Sequence, residues 1–198
     1  YASRRGKGIH SLVEKSKNNT RKFEWFLKLD VRKYFASIDH SVLKCQLNRM
    51  FKDLQLIHVL NKIIDSYSSA PQKGVPIGNL TSQYFANHYL SGLDHYIKEG
   101  IKVRAYARYM DDMMLWSNNK AELLDAERKI RSYVFQKLKC DLKVPQLNRC
   151  SRGVPFVGYL IYPYHVRLSQ RSRNRYAKKL QLVLSNFNLG EWTPIDCQ

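Results

Sequence analysis

Apolar and polar residues alternate in the segment FEWFLKLDVRKYF, which begins at Phe23. Trp25, Leu27 and Leu29 fall on one face, and a period of two residues is typical of a half-buried β-strand. Asp30 leaves this strand on the opposite, polar face. The pattern therefore predicts a first strand that ends in a carboxylate.

Helical spacing of apolar residues recurs in four later regions, at residues 41–66, 79–98, 119–138 and 171–184. The first of these regions is long enough for two helices. Asn79 stands at a capping position, and Asn119 with Glu122 resembles a capping box. The opening segment, residues 1–22, is basic and shows little periodicity, so we expect a loop with a helical turn there.

Strand-like runs occupy residues 101–110 and 113–117, which meet at Asp111 and Asp112, and residues 141–144. A hairpin-like pair follows in VPFVGYLIYPYHVRL. With the helical regions between them, the order strand, helices, strand, strand, helix, strand is that of a split β-α-β or ferredoxin-like arrangement. We therefore predict an α+β fold whose antiparallel sheet carries helices on one face.

The chain of 198 residues is strongly basic, with 34 Lys and Arg against 16 Asp and Glu and a formal net charge of +18. Its apolar fraction of 44% is sufficient for a folded core. No apolar run in the sequence approaches the roughly 18–20 residues of a membrane span. The charge predicts a polyanionic partner, with nucleic acid first and an acidic membrane surface second. A solvated basic surface is the alternative.

The cysteines and the first residue bear on cellular context. The four cysteines form no C-x-x-C pair and the six histidines lack zinc-ligand spacing, so we expect reduced thiols in an intracellular, cytoplasmic protein. The chain begins with Tyr1 and shows no signal peptide. We interpret it as a fragment that lacks native N-terminal sequence.

Two adjacent carboxylates, Asp111 and Asp112, interrupt the apolar run RYMDDMMLW. They could simply face water at a hairpin tip, since Asp is common in turns. In a ferredoxin-like sheet, however, the first strand and the central hairpin can be neighbours, which would bring Asp30 to the same end. Three converging carboxylates repel one another, and Mg²⁺ with oxygen ligands is the natural compensation. Two such ions can clamp the oxygens of an in-line phosphoryl transfer.

Four segments, in this order along the chain, resemble successive motifs of one family: LKLDVRKYFASIDH, GVPIGNLTSQYFANHYL, YARYMDDMMLW and FVGYLIYP. The family is that of reverse transcriptases, RNA-directed DNA polymerases that copy template RNA into cDNA. The resemblance implies a polymerase palm at residues 23–165, partial fingers at 1–22 and the start of a helical thumb at 166–198. It also implies a DNA or RNA primer, dNTPs and two Mg²⁺ ions, for which Mn²⁺ can substitute.

Within the family, GNLTSQ is most similar to diversity-generating retroelement enzymes, because Ile77 and Gln83 stand where most relatives have Gln and Pro. The opening YASRRGKG resembles the same subgroup. That setting implies a prokaryotic, phage or mobile-element context and a small basic accessory protein as partner. A retron or group II intron enzyme is the alternative. A catalytically silent nucleic-acid-binding palm is a further one, which the intact carboxylates disfavour.

Catalysis and metal ligation are the first roles that the resemblance implies. Asp30, Asp111 and the auxiliary Asp112 would be catalytic, and all of them would bind metal together with the carbonyl of Val31. The ions would lower the pKa of the primer 3′-hydroxyl and neutralise charge on the transferred nucleotide.

Two further positions in these motifs have alternative readings. Asp39 lies in the first motif, but we expect it to cap the helix that follows it. The family often has a lysine, a proton donor to pyrophosphate, soon after the strand that ends near Val144. Neither Lys143 nor Arg149 fits that position, so the role is unassigned.

Nucleotide binding is implied for a group of residues from three segments: Arg4, Arg5, Lys7, Phe35, Ile77 and Gly78. Basic side chains beside glycines match phosphate oxygens, although each could equally be solvated. Phe35 stands where the family has an aromatic steric gate against the ribose 2′-hydroxyl, and a plain core phenylalanine is the alternative.

Contacts with primer and template are implied for a further group: Tyr109, Met110, Phe156, Gly158, Tyr159, Arg173 and Lys178. The first pair precedes the carboxylates and would lie under the primer end, and the FVGY segment resembles the primer grip. The basic helix at residues 171–184 would follow the duplex backbone. As a lone observation, that helix could also be a solvated surface.

Overall fold

Helices and strands succeed one another throughout the computed structural model, which describes residue 2 and residues 6–188. The helices are α1 (Ile9–Lys22), α2 (Tyr34–Ser37), α3 (His40–Met50), α4 (Leu54–Asp65), α5 (Leu80–Tyr89), α6 (Ser91–His95), α7 (Lys120–Leu138) and α8 (Gln170–Asn188). The strands are β1 (Trp25–Leu29), β2 (Ala105–Tyr109), β3 (Asp112–Ser117), β4 (Gln146–Arg149), β5 (Val154–Phe156), β6 (Tyr159–Ile161) and β7 (Val166–Leu168). Within these residues no helix is long and apolar enough to cross a bilayer.

The main sheet has the strand order β2-β3-β1-β4, and every neighbouring pair in it is antiparallel. This order, with helices between β1 and β2 and between β3 and β4, is the predicted ferredoxin-like arrangement. The α+β prediction is therefore confirmed. Strands β5, β6 and β7 form a second, smaller antiparallel sheet where the sequence predicted a hairpin.

Both faces of the main sheet are buried, each in a core of its own. On one face, Leu27, Leu29 and Leu115 pack with side chains of α3, α5, α6 and α7. On the other face, Phe26 and Trp116 pack with residues of α1 and of the small sheet. The expectation of a half-buried first strand was wrong, because Phe26 on one face is as buried as Leu27 and Leu29 on the other.

Helix α1 occupies a segment for which the sequence predicted mainly loop, and that prediction was wrong. The buried face of α1 consists of Leu12, Val13, Ser16 and Thr20. Since half of this face is polar in type, the apolar period of a packed helix is absent from the sequence. The side chains of Leu12 and Val13 pack in the core on the face of the main sheet that carries Phe26 and Trp116.

The fourth strand lies later in the chain than the predicted residues 141–144. Leu142 makes only an isolated bridge with Val31, and β4 begins at Gln146, opposite Lys28. Pro145 precedes β4 and has no N–H to donate to a ladder, so regular pairing resumes after it.

The predicted helix over residues 79–98 is divided into three parts. Helix α5 ends at Tyr89, α6 follows, and Tyr96–Gly100 is a π-helical segment. Leu90, between α5 and α6, has ψ of 1°, which departs from regular helix geometry.

Helix caps agree in part with the sequence. Asp39 accepts a hydrogen bond from the Val42 N–H at 3.1 Å, which confirms its capping role for α3. Asn119 accepts from the Ala121 N–H, but Glu122 accepts from the Ser117 hydroxyl, so the reciprocal half of the predicted capping box is not formed.

The packing of α1 yields a first prediction. Leu12→Ala should lower the free energy of unfolding by about 2–5 kcal/mol, because Leu12 is fully buried beneath the sheet. Denaturant unfolding followed by circular dichroism measures this loss. Leu124→Ala on α7, where the side chain is 47% exposed, is the matched control and should change the value by less than about 0.5 kcal/mol. If the loss in Leu12→Ala were as small as that expected for the control, α1 would not be part of the folded core.

Candidate active site

A two-residue turn between β2 and β3 carries the first carboxylate. Tyr109 pairs with Asp112 across the hairpin, which leaves Met110 and Asp111 at its tip. Met110 has φ of 54°, the positive value that short hairpin turns require at a central position. This turn places Asp111 at the tip and Asp112 at the first position of β3.

Strand β1 brings the third carboxylate to the same end of the sheet. Leu29 pairs with Met113, so Asp30 directly follows the last β1 pair at the point where β3 begins with Asp112. Asp30 raises the pKa of both hairpin carboxylates through its charge. The predicted convergence of Asp30, Asp111 and Asp112 is therefore present in the structure.

Burial and mutual repulsion disfavour the ionised forms of the hairpin carboxylates. Partial burial, followed by the charge of Asp30, raises the pKa of Asp111. Burial raises the pKa of Asp112 to about 6, and the charges of Asp30 and Asp111 add to the effect while Lys28 opposes it. The site thus holds more negative charge than its surroundings neutralise.

Two lysines supply part of the missing positive charge. Lys28 Nζ lies 2.9 Å from Asp112 Oδ2, and Lys143 Nζ lies 2.9 Å from Asp30 Oδ1. Lys28 also donates to the Pro155 carbonyl at 3.0 Å, which ties the carboxylates to the small sheet. Lys28 was not singled out from the sequence, although its place two residues before Asp30 puts both side chains on one face of β1.

The oxygen donors of the site fit divalent cations. Asp112 Oδ1 is buried and has no hydrogen-bond partner among the described residues. Hard carboxylate oxygens suit Mg²⁺, and the Val31 carbonyl follows directly after Asp30. Within residue 2 and residues 6–188, however, no three His, Cys, Asp or Glu side chains are arranged to hold an ion. An ion bound by Asp30 would compete with Lys143 Nζ for the Asp30 carboxylate.

Residues proposed for the nucleotide lie on two connected segments. Phe35, on α2, is half-buried and packs edge-on against Tyr34 with ring centroids 5.8 Å apart. The Val75 N–H donates to the Phe35 carbonyl at 2.9 Å, which attaches the 75–78 loop to α2. Ile77 is 84% exposed in that loop, and Gly78 has φ of 105° with open space where a side chain would be.

The N-terminal basic residues are described only in part. Lys7 is exposed, whereas Arg4 and Arg5 lie outside the described residues. The grouping of all three about a triphosphate therefore stays a prediction.

The residues proposed for primer and template differ in accessibility. Tyr109, Met110 and Tyr159 are half-buried, and Arg173 and Lys178 are exposed on α8. Gly158, with φ of 85°, is the second residue of the turn between β5 and β6. Phe156 is 1% exposed and packs in the core that contains Phe26 and Trp116, so its ring lies inside the protein and not at the surface.

The match to a family model decides the family. Residues 1–161 match the model described as "Reverse transcriptase (RNA-dependent DNA polymerase)". The chain belongs to the reverse transcriptase family. The three converging carboxylates and both lysines of the site lie within the matched residues.

Curated relatives of this reverse transcriptase domain are intron proteins of fungi. The "Uncharacterized 91 kDa protein in cob intron" of Schizosaccharomyces pombe is 28% identical over 104 residues, which are 50% of this chain and 13% of the relative. The "Putative COX1/OXI3 intron 2 protein" of Saccharomyces cerevisiae is 30% identical over 90 residues, 41% of this chain and 10% of the relative. The chain thus spans about a tenth of the length of these relatives.

Solved telomerase structures share the fold. Apo telomerase from Candida Tropicalis, truncated from its C-terminal domain, superposes with a TM-score of 0.64 at 17% identity and covers 82% of this chain and 40% of that one. Telomerase from Candida albicans in complex with a TWJ fragment of telomeric RNA gives 0.63 at 14% identity, covering 82% and 34%. At these identities the likeness establishes the architecture alone.

The raised pKa values yield a second prediction, which concerns stability. Because the folded protein binds the Asp111 proton more tightly than the unfolded chain does, ionised Asp111 destabilises the fold, and this effect is lost at low pH. Asp111→Asn should therefore raise the Tm of the metal-free protein at pH 7, and the gain should shrink toward about pH 4. Added Mg²⁺ should raise the Tm of the wild type more than that of the variant.

The control for this prediction is Asp125→Asn on α7. Lys129 holds the pKa of the exposed Asp125 carboxyl below its usual value, so neutralising Asp125 should not raise the Tm at pH 7. A Tm gain in both variants, or in neither, would contradict the claim that ionised Asp111 destabilises the fold.

Proposed function

We propose that this domain catalyses RNA-templated DNA synthesis, adding dNTPs to a DNA or RNA primer. The observation that carries the proposal is the convergence of Asp30, Asp111 and Asp112 at one end of the main sheet, within the residues that match the family. Charges in such an arrangement suit a reaction in which divalent cations bind beside a polyphosphate. A surface that only binds nucleic acid would gain nothing from three carboxylates that repel one another.

In this mechanism the carboxylates hold and orient the reacting groups. Asp30 and Asp111 would ligate two Mg²⁺ ions together with the Val31 carbonyl, and Asp112 would assist from the first position of β3. Bound there, the ions would lower the pKa of the primer 3′-hydroxyl and offset charge on the phosphates. Lys28 would stay with Asp112 and fix its side chain, since the same ammonium is anchored by the Pro155 carbonyl.

Residues around the carboxylates would select and position the incoming nucleotide. The half-buried ring of Phe35 would lie beneath the sugar and exclude a 2′-hydroxyl. Ile77, almost fully exposed, would contact the base or sugar, and Gly78 leaves room for close backbone approach. Arg4, Arg5 and Lys7 would bind the triphosphate oxygens. Each of these roles rests on the position of the residue in the family motifs.

The primer–template duplex would lie across the palm and the thumb. Tyr109 and Met110 would support the primer end from the catalytic hairpin, and the turn at Gly158 would contact the primer backbone. Arg173 and Lys178 on α8 would pair with phosphates, consistent with the formal charge of +18. The corresponding division is partial fingers at residues 1–22, palm at 23–165 and thumb from 166.

An intron-borne setting is the one that the curated relatives favour. Both relatives carry intron names, which supports the alternative considered from the sequence over the diversity-generating retroelement. One observation still favours the latter: the exposed, apolar Ile77 directly before GNLTSQ stands where most relatives have Gln. The neighbouring genes separate the two. Intron boundaries around the gene support the first, and a template repeat beside a variable-repeat coding region supports the second.

Primer extension tests the proposed activity and yields a third prediction. The full-length protein should extend a primer on an RNA template with dNTPs and Mg²⁺, and Asp30→Asn should reduce the rate by at least about 100-fold because a metal-binding charge is lost. Asp125→Asn, an exposed carboxylate on α7, should match the wild type within about twofold. Extension by Asp30→Asn at the wild-type rate would contradict the role given to Asp30, whereas no extension by a folded wild type would support a silent palm instead.

Selection against ribonucleotides yields a fourth prediction. Phe35→Ala should raise the kcat/KM for an rNTP relative to that for the matching dNTP by about 10-fold or more, since space opens for the 2′-hydroxyl. Single-nucleotide incorporation with both substrates gives this ratio. Phe135→Ala on α7, where the ring is 67% exposed, is the control and should leave the ratio unchanged. An unchanged ratio in Phe35→Ala would identify Phe35 as core packing.

A further inference from the structure

A buried guanidinium lies directly behind the catalytic turn. Arg108 is on β2, and its side chain is 11% exposed. Its Nε and Nη2 donate to the two carboxylate oxygens of Asp94 on α6, at 2.8 and 2.5 Å. Its Nη1 donates to the carbonyl oxygen of Met110 at 2.8 Å. One side chain thus connects the catalytic hairpin to the helical layer.

The contact with Met110 acts on a particular peptide unit. The Met110 carbonyl and the Asp111 N–H belong to the same planar peptide, so a hydrogen bond that orients the carbonyl also orients the backbone from which the Asp111 carboxylate projects. Met110 has φ of 54°, a sparsely populated region for a residue with a side chain. Such a conformation persists only where its surroundings hold it.

The partners of Arg108 are themselves anchored. Asp94 also accepts a hydrogen bond from the Tyr106 hydroxyl at 2.7 Å, and the Asn87 carbonyl on α5 accepts from Arg108 Nη2 at 3.4 Å. Although burial opposes it, the Arg108 guanidinium holds the pKa of Asp94 below its usual value, so the pair is ionised at neutral pH. A planar fork that binds a carboxylate on one side and a carbonyl on another requires arginine, because lysine offers a single point charge.

Resting on the proposed polymerase activity, we propose that Arg108, oriented by Asp94, is a positioning residue for nucleotide addition. It fixes the Met110–Asp111 peptide and thereby the carboxylate at the tip of the hairpin. Arg108 touches neither nucleotide nor primer in this role. The loss caused by its removal should appear in the chemical step, since small displacements of a catalytic group reduce rate more than substrate binding.

The network contains its own control. Tyr106→Phe removes the hydroxyl that bonds to Asp94 and so weakens the same buried cluster, yet it leaves the Arg108–Met110 contact in place. Arg108→Lys keeps the positive charge but loses the fork. A purely structural role predicts that both variants lose activity in proportion to their loss of stability. The positioning role predicts that only Arg108→Lys loses rate while folded.

The experiment compares wild type, Arg108→Lys and Tyr106→Phe as full-length proteins, at a temperature where circular dichroism shows each to be folded. Single-nucleotide incorporation on an RNA template gives kcat and the KM for the dNTP. We expect Arg108→Lys to lower kcat about 10- to 100-fold with KM within about threefold, and Tyr106→Phe to keep kcat within about threefold. Similar kcat values for Arg108→Lys and the wild type, or equal losses in the two variants, would overturn the proposal.

Binding of Mn²⁺, followed by the electron paramagnetic resonance signal of the free ion, provides a readout that does not depend on turnover. Arg108→Lys should bind Mn²⁺ more weakly than Tyr106→Phe, because the Asp111 carboxylate is no longer held in place. If the folded wild type extends no primer, the proposed activity fails while this comparison still tests the positioning role. Should Arg108→Lys not fold, Asp94→Asn replaces it, and a kcat or an Mn²⁺ affinity equal to that of Tyr106→Phe would refute the inference.

Discussion

Mutual repulsion among Asp30, Asp111 and Asp112 is the constraint on which the rest of the site depends. The main sheet brings these carboxylates to one end through the pairing of β1 with β3 and the two-residue turn of the hairpin. Burial raises the pKa of Asp111 and Asp112, so their charged forms are held at a cost in stability. Lys28 and Lys143 offset part of that cost, and the remainder favours binding of divalent cations.

The surrounding packing keeps the carboxylates from relaxing apart. Each face of the main sheet is covered, by α3 and α5–α7 on one side and by α1 with the small sheet on the other. Lys28 joins the two sheets at Asp112, and Arg108 joins the turn of the β2–β3 hairpin to α6 at Met110. The site is thus supported from both layers, as is expected where reacting groups must be held to within a fraction of an ångström.

Much of this arrangement could be predicted from the sequence, because local patterns report on it. Alternation identifies β1, the apolar runs on both sides of Asp111 identify the hairpin, and their order along the chain is enough for the ferredoxin-like sheet. Helix α1 could not be found in this way, since Ser16 and Thr20 occupy half of its buried face. Strand β4 was predicted too close to the N-terminus, because Pro145 interrupts the hydrogen-bond ladder and regular pairing begins only after it.

Contacts between segments that are distant in the sequence were the part of the site that could not be predicted. Lys143 is 113 positions after Asp30, and nothing local in the sequence pairs them. The proximity of Lys28 to Asp30 could be predicted from the alternation along the strand. Its hydrogen bond to Asp112 could not, because that bond depends on the register of β1 against β3. The sequence motifs also do not determine the genetic setting of the protein. The motif around Ile77 favours a diversity-generating retroelement, whereas the curated relatives are intron proteins.

The most direct test of the central claim is an experimental structure of the full-length protein with an RNA template, a primer, a non-hydrolysable dNTP and Mg²⁺. We expect an ion bound by oxygens of both Asp30 and Asp111 at about 2.0–2.1 Å, with Lys143 displaced from Asp30. We also expect Lys28 to keep its ion pair with Asp112. A complex in which Lys143 keeps its ion pair with Asp30, and no ion lies between Asp30 and Asp111, would contradict metal binding by these carboxylates.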